Sequence, residues 1–184
     1  MTQAEFWEHI EKSRRADPEA HVERLTARLA KLRPAEILAF QNVWDRFSAR
    51  AYSWAVWGAA YLINGGCSDD GFIDFRSWLM LQGQKVFDAA LKNPDSLADV
   101  ADPEDDEVSC ECYPAMDAYF IATGTGEDEG RFDAWRAAFD AQFPKREPLP
   151  KLGRGWNFDS DRTMRKKYPR LAALYLARDG NNND

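Results

Sequence analysis

The chain has 184 residues, with Lys+Arg 24 and Asp+Glu 31, a formal net charge of −7, and 45% hydrophobic residues. This size and composition are typical of a folded globular protein and exclude a disordered or fibrous one. The negative balance argues against nucleic-acid binding and against binding to an anionic membrane, since both need clustered positive charge. Residues 1–10 lack the pattern of a secretory signal, and no apolar run is long enough to span a bilayer, so we expect a cytoplasmic protein.

Two amphipathic helices are predicted at the start of the chain. Thr2 followed by Glu5 is a capping-box pattern, which predicts a helix from Gln3 to about Arg15. Asp17 and Pro18 supply the N-cap and the first-turn proline of a second helix. Its apolar residues recur at helical spacing (Val22, Leu25, Leu29 and Leu32).

A long apolar stretch follows, and we expect it to form the centre of the fold. Apolar residues recur every three or four positions from Ile37 to Ile63, which predicts one long helix, either straight or kinked. Its second half, Tyr52–Ile63, is apolar on nearly every side, as is typical of a buried helix. Gly65 and Gly66 then end the helix, because glycine adopts a left-handed conformation without a steric penalty.

A second central helix and an acidic segment come next. Aromatic and aliphatic residues at helical spacing predict a helix over Phe72–Leu91, which Gly83 bends and which stops at Asn93 and Pro94. Residues 99–107, which we name the acidic segment, then hold six acidic side chains (Asp99, Asp102, Glu104, Asp105, Asp106 and Glu107). Such a charge run predicts a solvated loop or a flap, and it is suited to attracting a basic protein.

The last third of the chain is predicted to be helical with one irregular stretch. Helices are indicated over 114–122 and around 132–139, and Pro144 closes the second of them. Residues 144–160 carry no periodic pattern. Helix resumes after Ser160 and again at Pro169.

These elements predict an all-α, single-domain irregular helical bundle around the two central apolar helices. We expect residues 1–143 to form the helical core domain and residues 144–184 to form a C-terminal extension that packs on it. The extension carries a net charge of about +5 from residue 145 onward, against about −12 for the rest of the chain. It therefore either lies across the acidic body or meets an external anionic partner.

The stretch Asn64–Arg76 is the most informative candidate site, because a glycine turn leads there into acids at a helix start. In the structural interpretation, Ser68 or Asp69 caps the helix and the acids complement its positive N-terminal dipole. In the functional interpretation, Asp70 and Asp74 lie on one helix face, with Asp69 nearby. They would then present oxygen ligands to Mg²⁺, Mn²⁺ or Ca²⁺.

The motif Gly65-Gly66-Cys67-Ser68-Asp69-Asp70-Gly71-Phe72, followed by Phe75-Arg76-Ser77-Trp78-Leu79, resembles a family of small, functionally uncharacterised bacterial proteins. Phe6-Trp7 and Trp54-Ala55-Val56-Trp57 add to the resemblance, which extends over residues 1 to about 122. The resemblance implies a bacterial origin and a domain of unknown function. It implies no reaction and no catalytic residues.

Two further side chains near the turn have competing interpretations. The thiol of Cys67 stands beside a helix N-terminus, which favours the thiolate, but the neighbouring carboxylates oppose it, and a packed, inert cysteine is the alternative. A zinc site formed by Cys67, Cys110, Cys112 and one histidine is a further hypothesis, but the spacing of these ligands is not typical of structural zinc sites. Trp57 lies off the main apolar seam, so its indole either packs in the core or lines a cleft beside Asp69 and Asp70.

We therefore predict a non-catalytic binding or regulatory protein that recognises a protein or a small ligand near the Gly65–Arg76 turn, with no cofactor. One alternative is a metal-dependent hydrolase or transferase that uses Asp69, Asp70 and Asp74. Another is an acidic protein that neutralises a basic toxin or enzyme. The candidate ligand-binding residues are Trp57, Cys67, Ser68, Asp69, Asp70, Asp74 and Arg76.

Overall fold

A computed structural model describes residues 1–105, 107–127 and 129–176, and every regular element within those ranges is a helix. The prediction of an all-α fold is confirmed. None of the helices in these ranges is long and apolar enough to cross a membrane. The elements are α1 (Gln3–Ser13), α2 (Pro18–Leu29), α3 (Pro34–Ala51), α4 (Trp54–Ile63), α5 (Asp69–Leu81), α6 (Gln84–Lys92), a 3-10 helix (Pro94–Asp99), α7 (Pro114–Thr123), α8 (Arg131–Gln142), α9 (Asp161–Lys167) and α10 (Pro169–Tyr175).

The chain groups into two compact units, each made of separated segments. Residues 1–47 and 112–148 form unit 1, and residues 48–111 and 149–184 form unit 2. The boundaries of these units differ from those of the predicted core domain, 1–143, and the predicted C-terminal extension, 144–184. The predicted division stays a prediction.

Aromatic rings fill the centre of unit 1. The ring centroid of Phe6 lies 4.7 Å from that of Phe40 and 5.1 Å from that of Phe47, and Trp7 lies 4.7 Å from Phe47. The predicted capping box at Thr2 is present and fixes the start of α1. Helix α2 packs against both α1 and α7, so the amphipathic faces of these helices cover one another.

The predicted long helix Ile37–Ile63 is wrong as a single element, because the structure divides it into α3 and α4. Ser53 has an extended backbone (φ −146°, ψ 151°), and its hydroxyl accepts a hydrogen bond from the Val56 amide at 3.2 Å. Ser53 is therefore the N-cap of a new helix. Apolar periodicity continues through the break, so the pattern alone did not reveal it.

The predicted helix Phe72–Leu91 is likewise two helices, α5 and α6, separated at Gly83. Gly83 has φ 86°, a left-handed value that no α-helix accommodates. The glycine that we expected to bend the helix thus ends one helix and precedes the next.

Helix α4 lies at the centre of unit 2 and is covered by the C-terminal residues. It packs against α5, α10 and the 3-10 helix. The Tyr168 hydroxyl donates to the carbonyl of Ala55 at 2.8 Å, and the Trp54 indole N–H donates to the carbonyl of Gly153 at 3.2 Å. A Cβ atom at Gly58 would lie 2.5 Å from the Tyr168 hydroxyl, so only glycine permits this approach.

A buried carboxylate holds the last helix in unit 2. The side chain of Asp95 accepts hydrogen bonds from the backbone amides of Arg170 and Leu171, both at 3.0 Å. These amides belong to the first turn of α10, where no intrahelical partner exists for them. Arg170 also forms an ion pair with Asp99, so one charge of the basic extension does meet the acidic segment.

Candidate ligand-binding groove

The corner between α4 and α5, in unit 2, has a defined geometry. Asn64 ends α4, and Gly65 follows with φ 63°. The amide of Gly66 then donates to the carbonyl of Tyr61 at 2.8 Å, which is the 6→1 hydrogen bond of a Schellman motif. The glycine corner expected from the sequence is therefore fixed by backbone hydrogen bonds.

The acids at the start of α5 occupy the positions of a helix cap. The Ser68 hydroxyl accepts a hydrogen bond from the Gly71 amide at 3.1 Å, so Ser68 is the N-cap. Asp69 and Asp70 fill the first turn, where a negative charge interacts favourably with the helix dipole. These residues are thus accounted for by the structural interpretation.

No group of three or more His, Cys, Asp and Glu side chains in the described ranges is arranged to hold a metal ion. Asp74 lies one turn further along α5, and its backbone carbonyl accepts a hydrogen bond from the Cys110 amide at 3.2 Å. Burial, followed by repulsion from Glu111, Asp70 and Glu107, raises the pKa of the Asp74 carboxyl. The hypothesis of a metal site on Asp69, Asp70 and Asp74 receives no geometric support.

Arg76 is a buried structural cation. Its Nε–H donates to the carbonyl of Phe72 at 3.1 Å, and one terminal nitrogen donates to the carbonyl of Ser48 at 3.0 Å. Ser48 lies in the last turn of α3, whose carbonyls lack intrahelical partners and attract positive charge. The guanidinium also lies about 5 Å from the ring centroids of Tyr52 and Phe72. It lines neither of the cavities described below, so it holds the end of α3 and does not face a ligand.

Trp57 is also part of the interior of unit 2. Its indole stacks on Phe72 with ring centroids 4.6 Å apart, and its exposed fraction is 9%. The indole N–H donates to the carbonyl of Cys67 at 3.0 Å, so its one donor is already used. The core interpretation of Trp57 fits these contacts, and the cleft interpretation does not.

Cys67 borders a small cavity of about 260 Å³, with Asn64, Gly66 and Glu107 among the other lining residues. Burial, followed by repulsion from Glu107, raises the pKa of the Cys67 thiol to about 11. The thiol is therefore protonated at neutral pH and is a poor nucleophile. The inert interpretation fits this environment.

A larger groove of about 700 Å³ opens beside the same corner, and its lining is acidic and aromatic. Asn64 and Gly65 form its inner end, and Tyr61 and Phe158 supply aromatic rings. Four carboxylate side chains also line it: Glu104 and Asp105 of the acidic segment, and Asp159 and Asp161 of the C-terminal segment. Within the described part of the chain, no lysine or arginine is among its lining residues.

Asp159 and Asp161 of this groove have a neutral partner and a weak partner, respectively. The Tyr61 hydroxyl donates to Asp159, and this hydrogen bond raises the pKa of Tyr61. Asp161 lies 3.9 Å from a guanidinium nitrogen of Arg165, with both side chains more than half exposed. Exposed pairs of this kind are worth little, so Arg165 compensates the negative charge of Asp161 only weakly.

None of the seven candidate ligand-binding residues named from the sequence lines this groove, although two neighbouring features of the sequence do. The acidic segment and the glycine corner were both candidates, although Asp106 lies outside the described residues. Phe158 and Asp159 were missed because residues 144–160 showed no periodic pattern, and Asp161, in the helix predicted after Ser160, was not singled out. The one local signal was the aromatic-acid pair Phe158-Asp159 directly before the helix start at Ser160.

Fold and site together define an all-α protein with an acidic, aromatic groove at a helix corner. The chain belongs to the family described as "Protein of unknown function (DUF4240)", whose family model matches residues 1–122. The matched range contains the glycine corner and the acidic segment but not the wall around Asp159. No curated protein and no solved structure matches the chain.

Proposed function

We propose that the protein is a non-catalytic binding protein of the cytoplasm, and that the groove in unit 2 recognises a basic segment of a partner protein. The observation that carries the proposal is the lining of the groove, in which four carboxylates and aromatic rings occur and, among the described residues, no basic side chain. Lysine and arginine side chains bind such surfaces through charge and through the faces of aromatic rings.

The shape of the groove favours a segment of a macromolecule over a small enclosed ligand. Its volume of about 700 Å³ lies along the corner and the acidic segment, and its four carboxylates come from two separate stretches of chain. An extended peptide with several cations would contact both stretches at once. Small-molecule sites, by contrast, are mostly apolar with few polar groups.

Charge on this groove would act mainly on the rate of association. A cluster of negative charge attracts a positive partner over a distance comparable with the Debye length, about 10 Å at 0.1 M salt. We therefore expect binding that weakens as salt is added. The same attraction would serve an acidic protein that neutralises a basic toxin or enzyme, which is one instance of the proposed function.

The test uses a fluorescein-labelled octalysine peptide and two variants that remove the same amount of charge. The groove variant carries Glu104→Gln, Asp105→Asn, Asp159→Asn and Asp161→Asn, and the control variant carries Glu19→Gln, Glu23→Gln, Asp133→Asn and Glu147→Gln, all exposed positions of unit 1. The groove variant should bind the peptide at least about tenfold more weakly than the natural protein, and the control within about twofold. Equal losses in both variants would show attraction to net charge alone and would contradict the proposal.

A further inference from the structure

A single side chain of the glycine corner holds the acidic segment in place. The side-chain nitrogen of Asn64, Nδ2, donates to the backbone carbonyl of Val108 at 3.2 Å. The backbone amide of Val108 donates in turn to the side-chain oxygen of Asn64, Oδ1, at 3.0 Å. A carboxamide has a donor and an acceptor side by side, so the asparagine side chain makes this two-way bond without carrying charge.

Backbone hydrogen bonds define the conformation around Asn64. It is the C-cap residue directly after α4, and the Schellman hydrogen bond from the Gly66 amide to the Tyr61 carbonyl spans it. Val108, on the other side, has a buried side chain. The two hydrogen bonds between Asn64 and Val108 therefore join the end of α4 to the chain directly after the acidic segment.

Asn64 lines both the groove and the small cavity beside Cys67. Asn64 lines the groove together with Glu104 and Asp105, and it also lines the small cavity together with Glu107. The acidic segment therefore contributes carboxylates to both cavities on the approach to Val108. A second contact, from the Cys110 amide to the carbonyl of Asp74, holds the chain two residues further on.

We infer that Asn64 is a positioning residue, which sets where the carboxylates of the acidic segment stand in the groove through its two hydrogen bonds to Val108. This inference rests on the proposed function for its effect on binding, and on the contacts above for its effect on the segment. Asn64→Ala removes no charge, so long-range attraction of a basic ligand is unchanged. The variant removes the hydrogen bonds that position the carboxylates of the acidic segment. Short-range contacts with these carboxylates determine the dissociation rate of the ligand.

The first measurement is amide hydrogen exchange, and it needs no ligand. Asn64→Ala should speed exchange at Val108 by at least about tenfold while Cys110, which bonds to Asp74, changes by less than about threefold. The matched control is Asn93→Ala, elsewhere in unit 2. It removes the side-chain oxygen that accepts a hydrogen bond from the backbone amide of Asp95. It should leave exchange at Val108 unchanged. Exchange at Val108 within twofold of the natural protein in Asn64→Ala would overturn the inference.

The second measurement separates positioning from loss of charge, using the octalysine peptide. Asn64→Ala should raise the dissociation rate by about fivefold or more and leave the association rate within about twofold, whereas the groove variant should lower the association rate. Faster exchange at Val108 with an unchanged dissociation rate would overturn the positioning role. If the natural protein does not bind the peptide, the proposed function fails, and exchange at Val108 alone decides whether Asn64 holds the segment.

Discussion

The two units bury their apolar helices in different ways. In unit 1 the aromatic faces of α1 and α3 meet ring to ring, as Phe6 does with Phe40. In unit 2 the apolar helix α4 is covered in part by irregular chain, and the cover depends on a missing side chain at Gly58. Packing between helix faces can be predicted from the periodicity of apolar residues in a sequence. Packing of an irregular segment against a glycine leaves no such pattern.

The largest expected effect breaks the aromatic centre of unit 1. Phe6 is fully buried, so Phe6→Ala should lower the free energy of unfolding by about 3–5 kcal/mol through lost burial and a residual cavity. Urea denaturation measures this loss. The control is Phe132→Ala in the same unit, at a ring that is 52% exposed, where we expect a loss below about 1 kcal/mol. Similar losses for both variants would contradict the assignment of the core.

A smaller effect is expected where unit 2 depends on a glycine. Gly58→Ala should lower the free energy of unfolding by about 1–3 kcal/mol, because the new methyl group would stand 2.5 Å from the Tyr168 hydroxyl. Tyr168→Phe removes that hydroxyl together with its hydrogen bond to Ala55, which costs about 1 kcal/mol by itself. The double variant should therefore be more stable than the sum of the two single changes predicts. Strict additivity would mean that the close approach is absent.

The smallest expected effect is a difference between the two units in how their stability depends on pH. Burial lowers the pKa values of His9 and His21, both in unit 1, below the ordinary value of 6.5. The folded state therefore binds fewer protons than the unfolded state, and unit 1 loses stability as pH falls below 6.5. Amide exchange should accelerate in α1 and α2 between pH 7 and pH 5.5, after correction for intrinsic rates, and less so in α5. His21→Gln should reduce this dependence, and an unchanged dependence would contradict the assignment.

Much of the helical scaffold could be predicted from the sequence, because its signals are local. The capping box at Thr2, the proline start at Pro18 and the glycine end at Gly65 each act within one turn of helix, and each is present. The division of the long apolar helix was missed, because Ser53 is a weak interruption in a strong apolar pattern. A serine one position before a tryptophan-rich stretch carries little information without its backbone angles.

The candidate site could be predicted only in part, for a different physical reason. The corner at Gly65 and the acidic segment were visible as composition, but their juxtaposition depends on Asn64 reaching Val108 across 44 residues of chain. The groove wall at Asp159 lies almost 100 residues beyond its partner Tyr61. The charges at Asp69 and Arg76 drew attention because they are conspicuous, yet both side chains serve the ends of helices.

We propose that the acidic, aromatic groove of unit 2 is where this protein binds a basic partner. The most direct measurement is the change in backbone amide NMR shifts of the labelled protein as octalysine peptide is added. We predict the largest changes at Tyr61–Gly66 and at Phe158–Asp161, and reduced changes at raised salt. Shifts concentrated on the helices of unit 1, or spread evenly over every exposed acidic residue, would contradict the claim.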